Sequence, residues 1–280
     1  MPPTKGLSQD GRLSESAAVL TGPRAARKRA PRRPPSLFVV DIGNSALKMA
    51  LFAPDDPPFS FALEWGAFPG DIRAFLGEIP HRARDDLSCG ICSVVPSRND
   101  AIASLIRHYL EVTPVFLTSD SDYSFVNGYE TPWTVGVDRL CAVEGALADH
   151  EPPLAVFAFG TALAVTLVSQ DRVLTGGWIA TGFHTGFRAL QEYAELLRNT
   201  PLESPVPEIA RNTPSAVSNG LYLLMRGGIL EIKSLARASI GDDCAFLATG
   251  GEAALFRDLF HECDEDLVLK GIARVLSRLR

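Results

Sequence analysis

The sequence predicts a two-domain α/β protein with a ligand-binding cleft between its halves. Three observations carry that expectation. The chain has 280 residues, enough for two domains that each bury a core. Short, apolar, β-rich runs alternate with helical stretches from residue 37 onward. The start of each half also follows one plan, a strand that ends in glycine beside a small polar residue and turns straight into a second strand, which suggests an internal duplication with a cleft between the copies.

In the first half, Leu-Phe-Val-Val-Asp-Ile-Gly over residues 37–43 is short and β-rich, and Asn44 and Ser45 turn it into a second run over 46–53. Residues 87–95 and 113–117 read as buried strands. Between them, Ile102, Leu105, Ile106 and Tyr109 share one face of a helix over 98–109. The second half opens with an apolar strand over 154–159, a tip at Gly160 and Thr161, and a strand over 162–168. A turn at Gln170 and Asp171 leads into residues 172–177. Helices are expected over 187–197 and 214–238, the second interrupted at Gly227 and Gly228. A strand over 244–248 runs into Thr249-Gly250-Gly251, and an amphipathic helix over 267–279 ends the chain. The expected division is a basic Pro/Arg-rich disordered tail over 1–36, one domain over 37–150 and another over 151–280.

Composition excludes several functions. Hydrophobic residues make up 46% and charged residues 21% of the chain, as in ordinary soluble proteins, and no apolar run approaches a bilayer span, so no membrane partner is expected. The net charge is −6, although Arg24, Arg27, Lys28, Arg29, Arg32 and Arg33 crowd the tail. The body is therefore acidic, which argues against a nucleic-acid surface built on clustered Lys and Arg. The basic tail lacks the apolar stretch of a secretory signal. Five cysteines, an odd number scattered through apolar stretches with no matching His cluster, read as buried thiols in a reducing, cytoplasmic setting.

Chemistry gathers at the turns. Asp41-Ile42-Gly43-Asn44-Ser45 sets a carboxylate beside a glycine turn whose backbone amides can approach a phosphate, with Lys48 just beyond. A carboxylate there can hold a hydrated Mg²⁺ while the tip cradles phosphate oxygens. The same residues also suit an ordinary hairpin turn. Phe159-Gly160-Thr161-Ala162 repeats the tip with a hydroxyl but has Ala158 where the first hairpin has Asp41, and Thr249-Gly250-Gly251 adds a glycine turn suited to a nucleotide. Gly136-Val137-Asp138-Arg139 begins a helix. Asp138 there can accept a proton and Arg139 can bind an anion, or Asp138 simply complements the helix dipole with Arg139 on a solvated face.

Taken in order, Asp41 to Lys48, Ser93-Val-Val-Pro96, Tyr129-Glu-Thr-Pro132, Gly136 to Leu140, Phe159 to Ala162, Gly176-Gly177, Asn212-Thr213 and Thr249 to Gly251 resemble the type III pantothenate kinase family, also known as the Bvg accessory factor family. The likeness covers residue 37 to the C-terminus. It implies the actin-like ATPase superfamily fold, with two ribonuclease-H-like domains, a homodimer, and ATP-dependent phosphorylation of pantothenate. By resemblance, Asp41 holds Mg²⁺ through water, and Asp41, Ile42, Gly43, Asn44, Ser45, Ala46, Leu47 and Lys48 bind ATP with Thr161. Asp138 is the general base. Tyr129, Gly136, Val137, Asp138 and Arg139 line the pantothenate site, and Thr200 approaches it from the dimer partner.

The chain also departs from the family. Where relatives carry Asp before Phe-Gly-Thr, helping to hold potassium or ammonium, this sequence has Ala158, and Leu163, Ala164 and Thr166 replace further polar positions. Thr181 replaces a proline. Alternatives to the pantothenate kinase are a nucleotide-binding relative with a regulatory role and a kinase of another small hydroxyl compound.

Overall fold

The computed structural model describes residues 36–54, 56–65, 69–80, 84 and 86–279. The expected tail over 1–36 lies, but for Ser36, outside the described residues. Two mixed sheets carry the fold. The first comprises β1 (Ser36–Ile42), β2 (Ala46–Ala53), β3 (Asp56–Glu64), β4 (Leu87–Ser93) and β5 (Val115–Phe116), in the order β3-β2-β1-β4-β5. Strands β1, β2 and β3 are antiparallel, whereas β4 joins β1, and β5 joins β4, in parallel. The second sheet holds β6 (Val126–Asn127), β7 (Leu154–Phe159), β8 (Ala162–Val168), β9 (Val173–Thr181), β10 (Ala245–Thr249) and β11 (Glu262–Cys263), in the order β11-β10-β7-β8-β9-β6. Stripped of β6, it repeats the first sheet strand for strand: an antiparallel β7-β8-β9 meander with β10 and β11 added in parallel beside β7. The duplication is thus written in hydrogen-bond topology, as expected from the fold that the family resemblance implies.

The helices are α1 (Pro69–Glu78), α2 (Pro96–Leu110), α3 (Val137–Ala146), α4 (Phe183–Tyr193), α5 (Thr213–Ile240) and α6 (Leu267–Arg278). Alternation along β1 decides which residues meet which layer. Phe38, Val40 and Ile42 face outward into a core with Phe75 and Leu76 of α1 and Ile102 and Ile106 of α2. Val39 faces inward with Ala50, Cys92 and Cys141 and with Leu269, Ile272 and Val275 of α6. On the second sheet, Phe157 and Phe159 pack with Ile229 of α5 and with Phe256, while Leu154 and Val156 pack with Leu140 and Val143 of α3 and with Leu267. Helices α3 and α6 therefore form a layer between the sheets, and they cross at contact distance. A Cβ on Gly271 would lie 1.8 Å from the Cys141 carbonyl oxygen, and one on Gly145 would lie 2.0 Å from that of Leu267. Only glycine admits such an approach.

Glu144, fully buried on α3, ties this layer down. It accepts hydrogen bonds from the Ser124 amide and hydroxyl and from Arg274 and Arg278 of α6. Burial opposes its charge, but these donors outweigh burial and hold the carboxyl below its ordinary range.

Most expected elements are present, with four differences. The strand expected over 113–117 is only Val115–Phe116, paired with Gly90 and Ile91 of β4. Helix α4 begins at Phe183 rather than 187, its first amides being satisfied by Glu252. Helix α5 runs unbroken through Gly227 and Gly228. Two mid-helix glycines cost about 1 kcal/mol each, and burial of Ile229 next to them and of Ala236 two turns on offsets this. Strand β3, helix α1 and the short edge strands β6 and β11 were not apparent in the sequence. Among the described residues, no helix is long and apolar enough to cross a membrane.

Candidate active site at the two hairpin tips

Asp41 follows from the alternation of β1. It takes the inward face after Val39, directly opposite Lys48 on β2 and beside Cys92 on β4. The β1-β2 turn closes through the Gly43 amide on the Ala46 carbonyl at 3.0 Å, leaving Asn44 and Ser45 exposed at its tip. Trp65, after β3, braces this turn from outside. Its indole Nε1 donates to the Gly43 carbonyl at 2.7 Å and its amide donates to the Ser45 carbonyl at 3.1 Å. The Arg98 guanidinium stacks 3.7 Å over the same indole.

The second tip is built likewise, with the Gly160 amide bonded to the Ala162 carbonyl at 3.1 Å. Neighbouring backbone crowds it. A Cβ on Gly182 would lie 1.9 Å from the Gly160 carbonyl oxygen, and one on Gly250, whose φ is +92°, would lie 1.9 Å from that of Phe159. The Thr249-Gly250-Gly251 turn is therefore docked on the second tip. The two tips also touch, with Ser45 Oγ 2.7 Å from Thr161 Oγ1.

Asp138 enters from the first turn of α3, with Oδ1 accepting from the Arg139 amide at 2.8 Å. It comes close enough to Asp41 for the two charges to oppose each other. Burial, then repulsion from Asp138, push Asp41 up to about 7 against the attraction of Lys48. Burial also raises Asp138, partly countered by its bond to Arg139 and by that residue's charge. Asp41 keeps some access to solvent. A pair of carboxylates with raised proton affinity in one recess marks a site that gains from a cation or from proton transfer.

Of the residues singled out in the sequence, Asp41, Lys48 and Asp138 share one recess, and Ser45 and Thr161 meet beside its rim. Gly43 and Asn44 shape the first tip, while Ile42 and Leu47 are core residues beneath it and Ala46 closes the turn. Gly136 and Val137 start α3, and a Cβ on Gly136 would lie 2.5 Å from Asp138 Oδ1. Arg139 is not on a solvated face. It is 7% exposed, with Nε bonded to Thr166 Oγ1 at 3.0 Å and the guanidinium 5.8 Å from the Tyr129 ring. The α3 layer is covered on both sides, so no solvated face exists there. Thr200 is nearly buried after α4, where its carbonyl accepts from Gln191.

Asp41 suits Mg²⁺, which keeps most of its water and takes one or two carboxylates plus phosphate oxygens. Among the described residues, no three or more His, Cys, Asp or Glu side chains converge as a protein-only metal cage. Position 158 does not suit a monovalent cation. Ala158 pairs with Ala164 and Thr249 and offers a methyl group, and the Thr249 hydroxyl beside it is the one buried side-chain polar atom without a partner among the described residues. A shallow cavity of about 210 Å³ opens next to Lys48, lined by Ser60, Phe61, Ala62, Glu265, Asp266 and Leu269.

Sequence reasoning missed Trp65, Arg98 and Glu252. Their roles depend on chain crossings that no local pattern announces.

Known proteins resemble the chain over most of its length. The family profile described as type III pantothenate kinase matches residues 37–234. Type III pantothenate kinase 1 of Francisella tularensis subsp. tularensis is 31% identical over 249 residues, covering 84% of this chain and 95% of that protein. The type III pantothenate kinase of Thermomicrobium roseum is 30% identical over 263 residues, covering 87% and 97%. A crystal structure from Campylobacter jejuni, described as a Baf family transcriptional activator, superposes with a TM-score of 0.55 at 17% identity, covering 86% of this chain and 98% of that one. That likeness shows a common fold.

Proposed function

Because the chain belongs to the type III pantothenate kinase family, we propose that it phosphorylates pantothenate with ATP, giving 4'-phosphopantothenate at the start of coenzyme A synthesis. The observation that carries the reading is the meeting of Ser45 and Thr161 beside the Asp41–Asp138 recess. Two phosphate-sized turns open onto one pair of carboxylates.

The residues divide the work. The exposed Asn44-Ser45 and Gly160-Thr161 tips, whose hydroxyls meet, together grip phosphate oxygens, while Lys48 supplies positive charge on the face of Asp41. Magnesium, when bound, would neutralise phosphate charge, and Asp41 is the side chain that would hold it, through water. Asp138 takes the proton of the acceptor hydroxyl. Its raised affinity for protons makes it a better base than a solvated aspartate. Tyr129 and Arg139 form one wall of the acceptor pocket, where Arg139 positions rather than binds, since its guanidinium is already engaged. Retention of Asp41, Lys48, Asp138 and Thr161 favours turnover over a binding-only protein. With Ala158 at the cation position, neither potassium nor ammonium is required.

The protein works as a homodimer in the cytoplasm. Tyr193, Leu196, Ile209 and Leu224 are 83%, 95%, 95% and 76% exposed, all on or between α4 and α5, and a partner covering them brings Thr200 towards the neighbouring acceptor site. All five thiols are free, which supports a reducing compartment. ADP release from ATP and Mg²⁺, followed with and without pantothenate, tests the reading. Release that requires pantothenate is expected, and none with pantothenate overturns it.

A further inference from the structure

Glu252 joins two parts of the site that the sequence keeps far apart. It follows the Thr249-Gly250-Gly251 turn, and its carboxylate reaches across to α4. Oε2 accepts from the Phe183 amide at 2.8 Å, and Oε1 accepts from the His184 amide at 3.1 Å and lies 2.7 Å from His184 Nδ1. Only 11% of its side chain is exposed. Helix α4 needs this partner, because its N-cap is Gly182, which has no side chain to cap the first amides. Gly182 in turn donates its amide to the Thr161 carbonyl at 3.1 Å. A chain of contacts therefore runs from the glycine turn through Glu252 and the start of α4 to the second phosphate tip.

Position matters as much as bonding. A helix N-terminus beside a phosphate tip is itself attractive to anions, and Glu252 fills it with a carboxylate. The nucleotide is thereby left to the tip amides and hydroxyls, which are held in register by the same residue.

We infer that Glu252 is a positioning residue for nucleotide binding, latching the Gly250-Gly251 turn to the N-terminus of α4 and so fixing the Gly160-Thr161 tip that grips phosphate. The inference rests on the kinase reading above, which assigns that tip to phosphate. A purely structural cap lowers stability and leaves the kinetic constants of the folded enzyme unchanged. A latch raises the KM for ATP and leaves the KM for pantothenate and the ADP-independent fold intact.

The experiment measures Mg·ADP affinity by calorimetry, with KM for ATP and for pantothenate, on the full chain, Glu252→Ala and Glu252→Gln. Charge-assisted hydrogen bonds of this kind make the loss in Glu252→Ala on the order of tenfold in Mg·ADP affinity and in KM for ATP. Glu252→Gln keeps one acceptor oxygen and loses less, with pantothenate KM unchanged in both. Glu252→Gln decides the matter if Glu252→Ala does not fold. Unchanged or tighter Mg·ADP binding, or a loss shared equally by both substrates, overturns the latch alone. Failure of the unmutated protein to bind Mg·ADP overturns the kinase reading and the latch with it.

Discussion

Ser45 Oγ and Thr161 Oγ1 stand 2.7 Å apart although 116 residues separate them in the chain. Each tops a hairpin of its own sheet, so the contact joins the two copies of the duplicated unit at the point where they would share a phosphate. An exposed hydrogen bond of this kind adds only about 1 kcal/mol to stability. Ser45→Ala and Thr161→Val should therefore melt within a few degrees of the unmutated protein. Donors aimed at transferring phosphate are worth much more, so kcat/KM for ATP should fall roughly 100-fold in Thr161→Val. Melting and steady-state kinetics on the same preparations check both halves of the expectation.

Two carboxylates make stability respond to pH in opposite directions. Asp41 is raised from 3.8 to about 7, so the folded chain holds this proton more tightly than the unfolded one. Its contribution is complete below 3.8 and is lost as pH rises through about 7. Glu144 is held below 4.5, so its contribution is present above that value and is lost as pH falls through its lowered value. Urea titrations across pH should show a decline on each side, and Asp41→Asn should reduce the one on the alkaline side, leaving the part that the raised Asp138 contributes. Mg²⁺ with nucleotide needs Asp41 ionised, so its binding below pH 7 should release a proton, visible as a buffer-dependent heat.

The crossing of α3 and α6 positions Asp138, because Cys141 lies one helical turn beyond it and its carbonyl sits where a Gly271 side chain would go. Gly271→Ala should cost about 3 kcal/mol through overpacking against rigid backbone. Denaturant unfolding would measure the loss. Gly220→Ala, at a helical position with nothing within 4 Å of the added Cβ, serves as the control and should be neutral or slightly stabilising.

Ala158 and Thr249 make a paired expectation. With no carboxylate at position 158, the phosphorylation rate should not respond to potassium replacing sodium. The buried Thr249 hydroxyl has no partner among the described residues, and such a group costs about 1 kcal/mol or more. Thr249→Val should accordingly raise the melting temperature of the unliganded protein. A fall in Mg·ADP affinity in that variant would reveal that the hydroxyl is satisfied by nucleotide instead.

The sequence made the hairpins legible because each strand alternates or runs apolar and each ends in glycine beside a small polar residue. The matching order of five strands in the two sheets realises the duplication that those two tips suggested. Asp41 could be placed from alternation with Val39, and Asp138 from the start of a helix. The bond from Arg139 to Thr166 was hidden, since nothing local shows that α3 lies between two sheets. Strand β3, rich in exposed residues at a sheet edge, lacked the apolar run that flags a strand. Glu252 was equally silent, its role being set by residues 68 and 69 positions away.

The most direct test of the central claim is detection of the phosphorylated product. Full-length protein incubated with ATP, Mg²⁺ and pantothenate should yield pantothenate phosphorylated on its 4'-hydroxyl, identified by mass spectrometry and phosphorus NMR. Asp138→Asn should lower its formation by roughly 100- to 10,000-fold while still binding Mg·ADP. No product from the unmutated protein, or undiminished product from Asp138→Asn, would contradict the account of two tips and one catalytic base.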